Sequence, residues 1–374
     1  MADSNDATLS AALALVEDPL LFHPLGELGT LRQVRGGRRA IEVTVEVPPG
    51  EYPATNELTG RLTAALPDGE RRGIELRLIE MDEARRVEIG GLLKAMQGES
   101  AAGGEARENP FTSRSSRTRV LAIASGKGGV GKSSVTVSLA VALARAGHSV
   151  GLLDADIHGF SVPRMLKVGY APLVLGKTIL PPVARGVRAI SMGFFVDEDK
   201  AVAWRGPMLH RALEQFLNDV HWGTPEFLVV DMPPGTGDIA LSVGQQLPRA
   251  ELYLVTTPQL GSARIAQRAG SLARQLRLPI RGVIENMSYF RTPDGTRYEL
   301  FGSGGGELLA KTLEAPLLAK VPLVPAVGGE DADEGIPAVI ADPEGEVAQI
   351  FADLAEQIVA AGPARIYRSE LSIS

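Results

Sequence analysis

Eight residues, Gly126-Lys127-Gly128-Gly129-Val130-Gly131-Lys132-Ser133, constrain this chain more than any other stretch. They fit the spacing G-x-x-x-x-G-K-[ST] and lie between a short apolar run, 120–124, and an amphipathic pattern over 133–146. A strand, a glycine-rich loop and a helix in that order make a phosphate cradle. Glycines let successive backbone N–H groups turn inward, the helix presents its positive end, the lysine neutralises β- and γ-phosphate oxygens, and the serine hydroxyl can ligate Mg²⁺. The expected nucleotide contacts are Gly126, Gly128, Gly129, Val130, Gly131, Lys132, Ser133 and Ser134.

Such a loop needs carboxylates at neighbouring strand ends. The apolar run 227–230 ends in Asp231, where a carboxylate reaches the Mg²⁺ shell, and is followed by MPPGTGD, in which Gly235 is a candidate switch contact near a γ-phosphate. The run 150–153 ends in Asp154-Ala155-Asp156. Two carboxylates so close repel each other unless a cation is near, so one suits the metal shell and the other the attacking water. Further apolar runs at 252–255, 283–284 and 317–321, with helical patterns at 208–220 and 262–276, predict a doubly wound, mainly parallel α/β sheet with its ligands at the carboxyl ends of the strands.

The chain before the loop reads differently. Residues 40–47 (AIEVTVEV) and 74–78 (IELRL) alternate with period two, while 56–66 and 83–96 suit helices, which predicts a small α/β domain over 1–96. Residues 97–118 hold Phe111 as the single large apolar residue amid Gly, Ser, Glu and Arg, the composition of a flexible linker, leaving 119–374 for the P-loop domain. The formal net charge of −7 opposes a general nucleic-acid role, and no run approaches the ~18 unbroken apolar residues of a membrane span, so a cytoplasmic protein is expected. There is no cysteine, hence no disulfide, thiol nucleophile or thiolate metal site.

Lys127 lies outside the general P-loop requirement, and the loop GKGGVGKS resembles the deviant Walker A motif of the dimerising ATPases that include MinD, ParA, the nitrogenase iron protein and the Mrp/ApbC iron-sulfur carriers. Within that superfamily LLDADIHGFSVPRML (152–166), WRGPMLHRALEQFLNDVHWG (204–223), DMPPGTGD (231–238) and ENMSYF (285–290) look like Mrp/ApbC, and the small first domain is similar to the one often fused ahead of that ATPase. The resemblance implies an Mg²⁺-dependent homodimeric ATPase whose hydrolysis is coupled to dimer rearrangement, with a role in iron-sulfur cluster assembly or delivery among assembly or recipient proteins. It gives Lys127 a catalytic role across the dimer, Lys132 and Ser133 phosphate and Mg²⁺ contacts, Asp156 the orientation of water, which leaves Asp154 beside Asp231 for the metal shell, and Asn286 an adenine contact.

The resemblance also implies a [4Fe-4S] cluster held by a C-P-x-C pair after ENMSYF, where this chain reads Arg291-Thr292-Pro293-Asp294-Gly295-Thr296. Thr292 and Gly295 cannot supply thiolates, whereas Pro at the second turn position and Gly at the fourth predict a hairpin closed by turn chemistry alone. The small domain likewise has Gly50-Glu51-Tyr52-Pro53 where relatives often carry a cysteine. His23, His148, His158, His210 and His221 show no paired ligand spacing. The other reading is a MinD- or ParA-like positioning ATPase. It would favour a basic amphipathic terminal helix or a DNA-binding patch. Residues 344–360 instead present an apolar face suited to core packing, and Arg264, Arg268, Arg274, Arg277 and Arg281 suit a solvated face.

Overall fold

The computed structural model describes residues 2–37, 39–67, 70, 72–97, 109–113, 116–156, 159, 161–195, 206–235, 237–324 and 335–364. Residues 98–108, most of the expected linker, lie outside these, as do His158 and residues 328–334 of the acidic stretch 328–335. The chain divides into two compact units that do not follow one cut in the sequence. The first takes Met1–Arg107 together with Tyr170–Pro182 and Asp219–Gly223, and the second takes the rest.

In the first unit the elements run α1 (Ala2–Ala14), α2 (Leu25–Leu28), β1 (Leu31–Gly36), β2 (Ala40–Val47), α3 (Thr55–Ala64), β3 (Gly73–Glu80) and α4 (Glu83–Met96). The strands form one sheet, antiparallel between β1 and β2 and parallel between β2 and β3. The period-two pattern of β2 is realised: Ile41, Val43 and Val45 are buried while Glu42 is exposed. Asp82 caps α4 by accepting from the Arg85 N–H.

The second unit begins with β4 (Arg119–Ser125), α5 (Lys132–Arg145), β5 (Val150–Asp154) and α6 (Val162–Met165). The hairpin β6 (Leu173–Leu175) and β7 (Thr178–Leu180) belongs to the first unit and packs on α4, where Gly90 lets the Leu175 carbonyl approach to within 2.2 Å of where a Cβ would sit. The chain then continues through β8 (Val183–Ala184), β9 (Val187–Ser191), α7 (Gly206–Asp219), β10 (Phe227–Asp231), α8 (Asp238–Gln246), β11 (Glu251–Thr256) and α9 (Leu260–Gln275). It closes with β12 (Ile280–Glu285), β13 (Phe290–Arg291), β14 (Arg297–Tyr298), α10 (Gly305–Leu313), β15 (Leu317–Lys320), α11 (Ala338–Ala341) and α12 (Glu346–Ala360).

Eight strands form the large sheet in the order β15-β12-β11-β4-β10-β5-β9-β8, parallel throughout except for the β8–β9 edge pair. This is the expected α/β fold, with the P-loop strand β4 near the centre. Strands β5, β10 and β11 are buried from end to end, as is β4 after Arg119, which is why they read as apolar runs. On α12, Val347, Phe351, Leu354 and Ile358 enter the main core beside the apolar face of α5, so the terminal helix packs as its pattern implied.

Candidate nucleotide site

Register builds this site. Asp231 of β10 stands opposite Asp154 of β5, and Asp154 opposite Ser191 of β9, so parallel pairing sets three polar side chains in a row at the carboxyl ends of three buried strands. Asp231 is fully buried and Asp154 is 1 % exposed. Two carboxylates at that depth require nearby positive charge or donors.

Lys132, the first residue of α5, supplies the charge. It is 5 % exposed, with Nζ 2.7 Å from Asp231 Oδ1 and 3.3 Å from Asp156 Oδ2. Ser133 Oγ donates to Asp231 Oδ2 at 2.6 Å, and Thr136 Oγ1 lies 2.8 Å from Asp231 Oδ1, so Asp231 is held from three positions on one helical face. Asp154 is gripped at both oxygens: Ser191 Oγ is 2.9 Å from Oδ2 and the Asp156 N–H donates to Oδ1 at 3.1 Å. Burial and then the Asp231 charge push the Asp154 carboxyl up to about 8, against the opposing pull of the Ser191 hydroxyl and Lys132.

The loop itself is shaped by close approaches. A Cβ on Gly126 would fall 2.3 Å from the Ala266 backbone nitrogen of α9, so only glycine fits there. Gly131, at φ 78° and capping α5, leaves space that a Cβ would lose to the Asn286 Nδ2 at 2.2 Å. Among the described residues the N–H groups from Gly126 to Gly131 make no backbone hydrogen bond, which leaves them available as a cradle above the positive end of α5. Val130 is buried, Gly128 and Gly129 are exposed, and Ser134 is half-buried in the first turn of α5. The Gly235 N–H donates to the Ser125 carbonyl at 2.9 Å, which ties the loop after β10 to the base of the P-loop. Gly235 itself adopts φ 85°.

Asn286 adjoins the cradle, where its Nδ2 donates to the Val130 carbonyl at 3.0 Å and its own N–H to the Thr256 carbonyl at 2.8 Å. The Lys127 side chain is half-buried and makes no hydrogen bond or ion pair with the described residues. All the expected contacts therefore converge on one loop and its neighbouring strand ends. Thr136 and Ser191 were absent from the expectation. Thr136 was legible from its place one helical turn after Lys132, whereas Ser191 ends a five-residue strand, VRAIS, whose arginine breaks the apolar run.

The oxygen donors Ser133 Oγ, Asp231 and Asp154, all hard ligands, suit Mg²⁺. Among the described residues, this site included, no group of three or more His, Cys, Asp or Glu is gathered to hold a metal by itself, so an Mg²⁺ ion here would also need the oxygens of the nucleotide and water. At 290–298 the expected turn is present: the Gly295 N–H donates to the Thr292 carbonyl at 2.9 Å, and Asp294 accepts from the Thr292 hydroxyl and from the Thr296 N–H and hydroxyl. Strands β13 and β14 pair antiparallel beyond it. Arg291 and Arg297 lie over the Tyr289 ring, and Arg291 pairs with Glu346 of α12. Of the five arginines noted above, Arg274 donates to the Leu313 carbonyl and Arg281 pairs with Glu251, so both are part of the framework.

Residues 116–359 match the family model described as ParA, NUBPL iron-transfer P-loop NTPase. The chain is 45% identical over 346 residues to the iron-sulfur cluster carrier protein of Mycobacterium leprae, covering 89% of this chain and 87% of that one. It is 38% identical over 346 residues to the iron-sulfur cluster carrier protein of Bacillus subtilis, covering 92% and 94%. Among solved structures, a nucleotide-binding protein from Archaeoglobus fulgidus in complex with ADP is 30% identical, with a TM-score of 0.52, covering 62% of this chain and 91% of that one.

Proposed function

The chain belongs to the NUBPL iron-transfer P-loop NTPases of the ParA group, and from that membership we propose an Mg²⁺-dependent, homodimeric ATPase that drives iron-sulfur cluster delivery in the cytoplasm. The observation that carries the nucleotide part is Lys132, buried between Asp231 and Asp156 beside the Ser133 hydroxyl.

Nucleotide binding exchanges partners at this site. The Lys132 ammonium turns from the carboxylates to the β- and γ-phosphates, and the N–H groups of Gly126–Gly131 take the phosphate oxygens. Ser133, Asp231 and Asp154 would hold Mg²⁺, which supplies neutralisation of phosphate charge when bound. Asp156, freed from Lys132, accepts a hydrogen bond from the attacking water and aims it in line with the leaving group. Lys127 projects from the loop toward the nucleotide of a second copy, so hydrolysis is sensed across the dimer. Asn286 releases the Val130 carbonyl to bond the adenine.

The cluster is cargo, and this chain offers it no thiolate: the hairpin at 290–298 is closed by Thr292, Asp294 and Gly295. In this proposal the cluster stays on the thiolates of a partner protein, and the chain supplies the nucleotide-driven change of shape. The test is anaerobic reconstitution of the full chain with iron and sulfide, followed by iron and acid-labile sulfide determination beside an ATPase assay. ATP hydrolysis by a protein without stoichiometric iron is the expected result. A stoichiometric cluster on this chain alone would overturn the partner-held cargo, and absence of hydrolysis would overturn the ATPase.

A further inference from the structure

Ser191 ends β9 at full burial, opposite Asp154 in the parallel register. Its Oγ donates to Asp154 Oδ2 at 2.9 Å. The Gly193 N–H donates to the same Oγ at 3.1 Å, as at a helix cap, at the start of the 3-10 turn Met192–Phe194. Gly193 takes one of the two lone pairs of this oxygen and leaves the hydroxyl hydrogen for Asp154. Asp154 Oδ1 meanwhile accepts from the Asp156 N–H at 3.1 Å. The two oxygens are held by donors from β9 and from the loop directly after β5, which fixes the plane of the carboxylate.

We propose that Ser191 is a positioning residue for ATP hydrolysis, its hydroxyl setting the orientation in which Asp154 joins the Mg²⁺ shell. The inference rests on the assignment of Mg²⁺ and ATP to this site. Ser191 acts through Asp154, as the outer partner of a metal-binding carboxylate does, and such partners typically govern about 10–100-fold in metal affinity or activity. A purely structural serine at a buried strand end would answer a backbone group. This one also turns its hydrogen toward a carboxylate that stands beside a second buried carboxylate, Asp231.

The test titrates Mg²⁺ against equilibrium binding of a fluorescent ATP analogue to the full chain, repeats the binding in EDTA, and measures kcat and KM in parallel. Ser191→Ala is expected to raise the half-saturating Mg²⁺ concentration about 10–100-fold, to lower kcat, and to leave affinity in EDTA unchanged. Ser191→Thr, which keeps the hydroxyl, is expected to restore most of the loss. On an Asp154→Asn background, Ser191→Ala is expected to add nothing to the Mg²⁺ shift. Should the alanine variant not fold, Ser191→Cys, a weak donor of similar size, reads the same shift. An unmoved Mg²⁺ midpoint against a Mg²⁺-dependent wild type overturns the inference and leaves the ATPase standing, as does a threonine variant shifted as far as alanine. A wild type whose nucleotide binding and hydrolysis both ignore Mg²⁺ overturns the inference together with the Mg²⁺ assignment on which it rests.

Discussion

The nucleotide site and the hairpin at 290–298 are both rich in polar groups, yet they are stabilised in opposite ways. At the nucleotide site Asp231, Asp154 and Lys132 are buried, and they come from strands and a helix far apart in sequence. At the hairpin Thr292, Asp294 and Thr296 bond one another within five residues, at the surface. The first arrangement is fixed by the whole fold and strained by its own charge. The second closes itself and carries little energy. The buried polar groups are locked into the core, while the segment where the family resemblance implies a cluster is a local turn.

The strongest way to break the comparison is Lys132→Ala. Removing the ammonium leaves Asp231 and Asp156 without their shared cation, so hydrolysis is expected to fall by about 10³-fold, with nucleotide binding lost. Stability is expected to fall as well, by about 3 kcal/mol, because one partner of a buried ion pair has gone. Steady-state ATPase assays and a thermal melt check both. A variant that keeps its hydrolysis would place the phosphate site elsewhere.

Asp154→Asn comes next and has a signature in pH. Because the Asp154 carboxyl is pushed up to about 8 from its ordinary 3.8, the folded chain binds more protons than the unfolded chain between those values, and stability falls as pH rises through that window. Asparagine removes this slope. The variant is expected to melt above the wild type at pH 8, to match it near pH 4, and to lose about 10²-fold in Mg²⁺-dependent hydrolysis. Equal melting curves at both pH values would show that the charge is not stored at Asp154.

Most of the sheet was legible because its central strands are buried on both faces and so read as apolar runs, and the loop 126–133 was legible because phosphate chemistry permits few residues there. Ser191 was not, since Arg188 interrupts β9 and a serine after a short run carries no signal until register sets it beside Asp154. The Asn286–Val130 bond and the approach of Gly126 to Ala266 are tertiary contacts, 156 residues apart in the first case, with no local pattern. Nor does any local pattern reveal that Tyr170–Pro182 and Asp219–Gly223 pack with the first unit, because each is a short stretch without a core of its own.

Lys127→Ala sharpens the comparison from the loop side. Its side chain bonds none of the described residues, so folding and nucleotide affinity are expected to stay near wild type. Association of two copies in the presence of ATP is expected to weaken by about 30-fold, equivalent to ~2 kcal/mol for a lost charge-assisted contact. Size-exclusion profiles with and without ATP decide the matter. Profiles that match the wild type in both conditions would remove Lys127 from any role between copies.

The smallest effect is expected at Gly295→Ala, and its smallness is the point. Gly295 sits at φ 87°, a conformation that costs an L-residue about 1–2 kcal/mol, yet a Cβ there meets nothing within 4 Å. The whole penalty is therefore backbone strain in a surface turn, which fraying of β13 and β14, two residues each, can relieve. Faster amide exchange over 292–298, a thermal midpoint within a few degrees of wild type and an unchanged kcat are expected together. A large loss of kcat from this substitution would mean that the turn and the buried carboxylates move as one body, so that the hairpin's self-closing bonds serve the nucleotide reaction itself.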